Sequence, residues 1–176
     1  KKTKTLTKDF TAKETEAKAK DDGGNPVVSA LYPGDSTPAY SKTNPMIVDM
    51  NGHSLTVQAE SDDKLARAIN LSPNAAVEIK NDARKTLTIS AINKGTRAAT
   101  SIDVGANASL KIQGPVVIDE VRANNLSVSA ITTRGSIGQS GEVTIDGDLT
   151  VKKLEGKTTG NGSDGRNLSA LHALSG

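Results

Sequence analysis

The chain of 176 residues contains no cysteine and no tryptophan, a single phenylalanine (Phe10) and two tyrosines (Tyr32 and Tyr40). Without cysteine there is neither a disulfide framework nor a thiolate metal site, and the chain is compatible with export. Aromatics make up 2% of the residues, whereas a compact globular core draws heavily on aromatic bulk. The core is therefore expected to be thin and built from Ala, Val, Ile and Leu, as in stacked identical layers. No apolar run approaches the roughly 18 residues of a membrane span, and no signal-peptide core is present. The chain opens on Lys1 rather than Met, so it reads as a processed or excised fragment that is not itself membrane-embedded. Charge is nearly balanced at +2; the basic residues are densest at Lys1, Lys2, Lys4 and Lys8. No later basic stripe with interleaved aromatics follows, so nucleic acid is not expected as a partner.

What the chain does contain is a recurring triplet of the form aliphatic–x–aliphatic. It occurs at Leu55-Thr56-Val57, Val77-Glu78-Ile79, Leu87-Thr88-Ile89 and Ile102-Asp103-Val104. It returns at Leu110-Lys111-Ile112, Val116-Val117-Ile118, Leu126-Ser127-Val128, Val143-Thr144-Ile145 and Leu149-Thr150-Val151. Alternation with period two places aliphatic side chains on one face and mostly polar ones on the other, which predicts short half-buried strands. Turn formers separate them: Asn51-Gly52, Pro73-Asn74, Lys94-Gly95, Gly105-Ala106-Asn107, Gly114-Pro115 and Asp146-Gly147. Asn-Gly and Asp-Gly also suit two-residue hairpins, so a hairpin meander or a β-sandwich with antiparallel pairing stays open on local signals alone.

Repeat spacing favours a solenoid. Leu55 to Val77 is about 22 residues and Leu87 to Leu110 about 23, in the range of solenoid coils. The fold predicted is all-β, a right-handed parallel β-helix with coils over 46–176, truncated at the C-terminus. Residues 1–45 are loop-rich beyond residue 21, carry one strand candidate at Val27–Tyr32, and are expected to form an N-terminal cap over the open core. Two stretches have helical composition. Thr11 to Lys20 is rich in Ala, Lys and Glu but lacks an apolar stripe. Asp62 to Leu71, with Asp62 as an N-cap, is expected to form a short helical turn or loop leaving a coil.

The segment Val48-Asp49-Met50-Asn51-Gly52-His53-Ser54-Leu55-Thr56-Val57 resembles the D-x-N-G-H-x-L-T-hydrophobic rung of passenger regions in bacterial type V autotransporters. Leu87–Ser90 and Val143–Val151 are similar to successive rungs, and the resemblance covers roughly residues 46–155. It implies a right-handed parallel β-helix, secretion through a C-terminal outer-membrane β-barrel of the parent protein, and display at the bacterial cell surface. It also implies adhesion or aggregation, with a host or bacterial surface protein or glycan, or another copy, as partner. No binding residue carries over, because adhesive sites vary between members.

Candidate chemistry is sparse. Gly34-Asp35-Ser36 has the core of a trypsin-like nucleophile motif, but no histidine precedes Ser36 and Thr37-Pro38 follows it, so a plain turn is expected. The two histidines, His53 and His172, have no His or Cys neighbour at ligand spacing, so no zinc site and no cofactor are predicted; His53 is expected at a rung corner or facing solvent. Asp62-Asp63 and Asp146-Gly147-Asp148 offer oxygen ligands without a calcium-loop pattern and are read as solvated turns. The alternative function is a carbohydrate-active β-helix enzyme, a polysaccharide lyase or hydrolase. Asp119-Glu120 speaks against it, because neighbours in a strand point to opposite faces while glycosidase chemistry needs two carboxylates facing one bond. No catalytic residue is therefore assigned. Asn-x-Ser sequons stand at Asn70, Asn107, Asn125, Asn161 and Asn167.

Overall fold

The computed structural model describes residues 2–21, 23–34, 40–124, 127–136, 138–157 and 168–175, the last stretch by its backbone alone. Seventeen strands follow one another, with no helix among the described residues. The first seven are β1 (Thr3–Thr5), β2 (Phe10–Glu14), β3 (Ala17–Lys20), β4 (Pro26–Val28), β5 (Met46–Asp49), β6 (Leu55–Ser61) and β7 (Leu65–Leu71). Then come β8 (Ala76–Lys80), β9 (Leu87–Asn93), β10 (Ala99–Val104), β11 (Ser109–Gln113) and β12 (Val116–Ala123). The series ends with β13 (Val128–Gly135), β14 (Glu142–Asp146), β15 (Leu149–Val151), β16 (Leu154–Gly156) and β17 (Leu168–Ser175).

Three parallel sheets share these strands. Sheet A runs β1-β5-β8-β11-β14, sheet B runs β2-β6-β9-β12-β15, and sheet C runs β3-β4-β7-β10-β13-β17. Each coil visits A, B and C in turn, as β5, β6 and β7 do, and the next coil lays its strands beside them. The molecule is therefore a parallel β-solenoid, the architecture expected from the alternating triplets. Antiparallel pairing within a hairpin meander or sandwich is overturned as the main plan: Leu55 stands beside Leu87 and Val77 beside Leu110, strands of successive coils rather than of one hairpin.

The coil length differs from the expected 22–23 residues. Asn107 reaches the equivalent Asn74 across 33 residues, and Ser101 reaches Ala130 across 29. The shorter figure measured Leu55 to Val77, which lie in sheets B and A of different coils. Local alternation identifies strands but carries no record of which strands pair.

The helical expectation for Asp62–Leu71 is corrected too. Leu65–Leu71 is strand β7, hydrogen-bonded into sheet C between β4 and β10. Thr11–Lys20 divides between β2 and β3. Ladders on neighbouring strands, β6 for β2, β4 for β3, and β4 and β10 for β7, satisfy backbone groups that a short helix would hold only marginally.

Inside the coils, equivalent aliphatics stack in columns about 4.8 Å apart, the spacing of paired strands. One column is Met46, Val77, Leu110 and Val143; another is Leu55, Leu87, Val116 and Leu149. Val77, Leu87, Leu110 and Val116 are all fully buried. Each such side chain contributes roughly 1.5–3 kcal/mol relative to leaving it in water. The interior is too narrow for aromatic bulk; its largest fully buried side chains are Met50 and a set of Ile and Leu.

Corners repeat as well. Asn74 and Asn107 both hold left-handed backbone, with φ of 65° and 55°, and the Asn107 amide Nδ2 donates to Asn74 Oδ1 at 2.8 Å. At another corner Gly147 lies so close to Gly114 that a Cβ on Gly147 would sit 2.3 Å from the Gly114 carbonyl oxygen. Gly114 itself has φ of 82°, a conformation other residues rarely adopt.

The expected cap segment supplies a coil of the same solenoid. Strands β1, β2 and β4 pair in parallel with β5, β6 and β7. Strand β3 departs from the plan: it runs antiparallel to β4 and lies at the edge of sheet C. At the other end β17 pairs in parallel with β13, another coil begun, as the C-terminal aliphatics suggested.

Candidate functional site

The outer face of sheet C carries a charge cluster. Asp103 sits on the middle strand, β10, with Arg67 on β7 to one side and Arg134 on β13 to the other. Arg67 Nε donates to Asp103 Oδ2 at 3.0 Å and Arg134 Nε to Oδ1 at 2.7 Å. One carboxylate thus binds three successive coils. The Asp103 side chain is 3% exposed and the arginines 13% and 15%, so the groups interact in a poorly screened environment where charge-assisted bonds are strong. Register places Asn70, Asp103, Thr132 and His172 in one row across the sheet. Arg67 Nη1 and Asn70 Oδ1 are both buried without a hydrogen-bond partner among the described residues.

Sheet B shows a looser arrangement. Glu60 on β6 receives Lys13 from β2 at 2.9 Å and is paired on its other side with Lys94, which follows β9. These two ammonium groups, Lys94 first, pull the Glu60 carboxyl from 4.5 down to about 2. The same contact raises the Lys94 ammonium. Further along the same face, Lys153 binds Glu120 at 2.9 Å and Glu155 at 2.8 Å, and Lys152 binds Asp119 at 2.9 Å. The lysines are about half exposed.

Asp119 and Glu120 correct the expectation that neighbours point to opposite faces. The register between β9 and β12 shifts between Ile118 and Glu120. Asp119 is the extra residue, so Ile118 and Val121 both turn inward while the two acids both stay outside. A bulge of this kind breaks the period-two rule locally. The two carboxylates share a face, yet each is bound by its own lysine.

Strands β1 and β2 are edge strands of sheets A and B among the described residues. A cleft of about 510 Å³ is lined by Leu6, Phe10, Leu31, Val48 and Val57 among others, with Lys4 and Lys8 at its walls. Phe10 stands in the inward column of Leu55 and Leu87 but is 48% exposed, with no strand stacked on it among the described residues. Leu149 occupies the same column at the far end and is 39% exposed.

His53 lies at the corner between β5 and β6, partly exposed, with Nδ1 3.7 Å from Asp9 Oδ1. His172 is in β17, in register with Thr132. Asp62 and Asp63 line a second cleft, of about 470 Å³, with Asn25, Lys64 and Arg97; Asp63 binds Lys64 at 2.6 Å. Asp146 and Asp148 flank a corner, both exposed. Among the described residues no group of three or more His, Asp or Glu converges as a metal site. Ser36, Asn125, Asn161 and Asn167 lie outside the described residues. Of the other sequons, Asn70 is 2% exposed and Asn107 is exposed at a turn.

Sequence reasoning missed the Arg67–Asp103–Arg134 cluster. Its trace was visible: an Asp between Ile102 and Val104, at a position the pattern directs outward. The two arginines, however, meet Asp103 only once coil register is known. No family model, curated protein or solved structure shows significant similarity to the chain.

Proposed function

We propose that the chain is a structural and adhesive scaffold, a passenger-type segment displayed at a bacterial cell surface that binds neighbouring cells, host surfaces or other copies of itself. The observation that carries this reading is the way charged side chains are used. On sheet B they pair laterally from coil to coil, Lys13 and Lys94 with Glu60, Lys152 with Asp119 and Lys153 with Glu120. Such pairing spreads polar groups along a continuous face instead of gathering them at one bond. A long face of weak, repeated polar contacts suits broad surface recognition, whose affinity grows with the number of contacts engaged together. The resemblance to autotransporter rungs supports the same reading and supplies the surface location.

The test is binding of the purified chain, and of the full-length protein that contains it, to bacterial cells, extracellular-matrix proteins and itself. Saturable binding or cell aggregation that weakens with added salt is the expected result. Absence of binding by both proteins to all three would overturn the reading, as would turnover of a polysaccharide abolished by replacing one carboxylate.

A further inference from the structure

We propose that Asn51 is a self-modification site: the backbone nitrogen of Gly52 closes on the Asn51 side chain, and conversion to isoaspartate and aspartate releases the segment between β1 and β2 from the β5–β6 corner. This inference is independent of the surface-binding reading. It starts from the geometry of that corner. His53 N donates to Met50 O at 2.8 Å, and Asn51 and Gly52 between them hold left-handed backbone, with φ of 47° and 79°. Two successive positive φ values make a type I′ turn, for which Asn-Gly is the favoured pair. Both residues are exposed, and nothing lies within 4 Å of where a Cβ on Gly52 would sit. The Asn51 N–H is held by Asp49 Oδ1 at 2.9 Å, whereas the Gly52 N–H has no partner among the described residues.

The reaction needs only water and hydroxide. Hydroxide removes the proton from Gly52 N, that nitrogen bonds to Asn51 Cγ, and the side-chain nitrogen leaves as ammonia. The resulting succinimide takes up one water. Breaking its bond from Gly52 N to Cγ gives aspartate. Breaking the bond from Gly52 N to the main-chain carbonyl carbon gives isoaspartate, with the chain now running through Cβ and Cγ. Other described asparagines are less favourably placed. Pro26 and Pro45 follow Asn25 and Asn44 and have no N–H to give up. Ala75 and Ala108 follow Asn74 and Asn107, carry a Cβ, and donate their N–H to Ser72 O and Gly105 O, both at 3.1 Å. Asp146-Gly147 has the atoms for the same ring, but Gly147 is pressed against the Gly114 carbonyl. The amide lost at Asn51 has a structural task. Its Nδ2 donates to the Leu6 carbonyl oxygen at 3.0 Å, and Leu6 N donates to Asp49 O at 2.8 Å, so the chain between β1 and β2 rests on this corner. Conversion replaces the donor with a carboxylate oxygen opposite the Leu6 carbonyl, and isoaspartate lengthens the turn by one backbone carbon.

The experiment ages the whole chain at physiological temperature in neutral and mildly alkaline buffer. Tryptic peptides are followed by mass spectrometry for the change from amide to acid, and isoaspartate is counted by enzymatic methylation. Asn51 is expected to convert about tenfold faster or more than Asn74 and Asn107, because glycine leaves the attacking nitrogen uncrowded. The rate is expected to rise in proportion to hydroxide. Amide hydrogen exchange of β1 and β2 is expected to quicken in the aged protein and in freshly made Asn51→Asp, while β9 to β12 stay protected. Asn51→Gln, which closes only to a six-membered imide, is expected to keep its exchange unchanged over the same period. Conversion at Asn51 no faster than at Asn74 and Asn107, or a rate indifferent to pH, would overturn the proposal. So would unchanged exchange of β1 and β2 after Asn51 has converted. An Asn51→Gln sample that loosens on ageing as much as the parent would overturn it too, since the loosening would then have another cause.

Discussion

Sheets B and C use the same device, a carboxylate between two cations on neighbouring coils, in opposite surroundings. On sheet B, Glu60 sits between Lys13 and Lys94, whose side chains are 48% and 53% exposed. On sheet C, Asp103 sits between arginines at 13% and 15%. Water and ions screen the first trio, and its long flexible lysines lose entropy on being held, so each pair there is worth about 0–1 kcal/mol. The second trio is desolvated and its guanidinium groups are planar and preorganised. Removing a partner there leaves uncompensated buried charge. Coil-to-coil pairing is therefore a surface decoration on one sheet and a structural clamp on the other, and burial alone separates the two roles.

The largest expected effect is that of Asp103→Ala. Two largely desolvated arginines then face each other without a counter-charge, which costs up to about 3–5 kcal/mol. For a chain of this size that lowers the melting temperature by roughly 6–20 °C, measurable by thermal circular dichroism. Replacing the trio together, Arg67→Met with Asp103→Leu and Arg134→Met, sharpens the comparison. It removes the charges along with their desolvation penalty, so stability is expected within about 1–2 kcal/mol of the parent or above it. If the triple variant loses as much as Asp103→Ala, the clamp depends on something other than burial of charge.

Next comes salt. Raising NaCl to about 1 M shortens the screening length to about 3 Å. It is expected to erase the difference between the parent and Glu60→Gln while leaving the Asp103→Ala difference largely intact. A loss of both in salt would collapse the distinction between the sheets. In low salt Glu60→Gln itself is expected to cost about 1 kcal/mol or less.

The smallest effect is the pH dependence of that same difference. Lys94 and Lys13 hold the Glu60 carboxyl at about 2, below its ordinary 4.5. A carboxylate whose folded pKa is depressed binds fewer protons folded than unfolded, so its contribution is complete above about 4.5 and disappears as pH falls toward 2. Melting curves of parent and Glu60→Gln should therefore differ at pH 6 and converge by pH 2. A difference that grows on acidification would show that another group dominates.

Much of the strand content was legible in the residues, because period-two alternation is a local consequence of the pleat. Val77-Glu78-Ile79 and Leu110-Lys111-Ile112 announce an inward pair and an outward polar residue, and β8 and β11 deliver them. The helical reading of Leu65–Leu71 failed because helix and strand propensities there are close, and the ladders of β4 and β10 decide between them. Asp119-Glu120 failed for a related reason: a bulge is set by the neighbouring strand's register, which no window of ten residues contains. The candidate sites follow the same division. Arg67, Asp103 and Arg134 were visible as residues, but their meeting depends on strands of three successive coils.

By itself the sequence determined that this chain would be built of short half-buried strands with a narrow aliphatic interior and sharp polar corners. Those properties follow from side-chain size, alternation and the backbone tolerance of Asn and Gly, all of which act within a few residues. Only the tertiary structure decided the length of a coil, the bulge at Asp119 and the burial of Asp103 between two arginines. Each of these depends on which strand lies beside which, and register is fixed by the joint packing of three sheets around one core rather than by any segment alone.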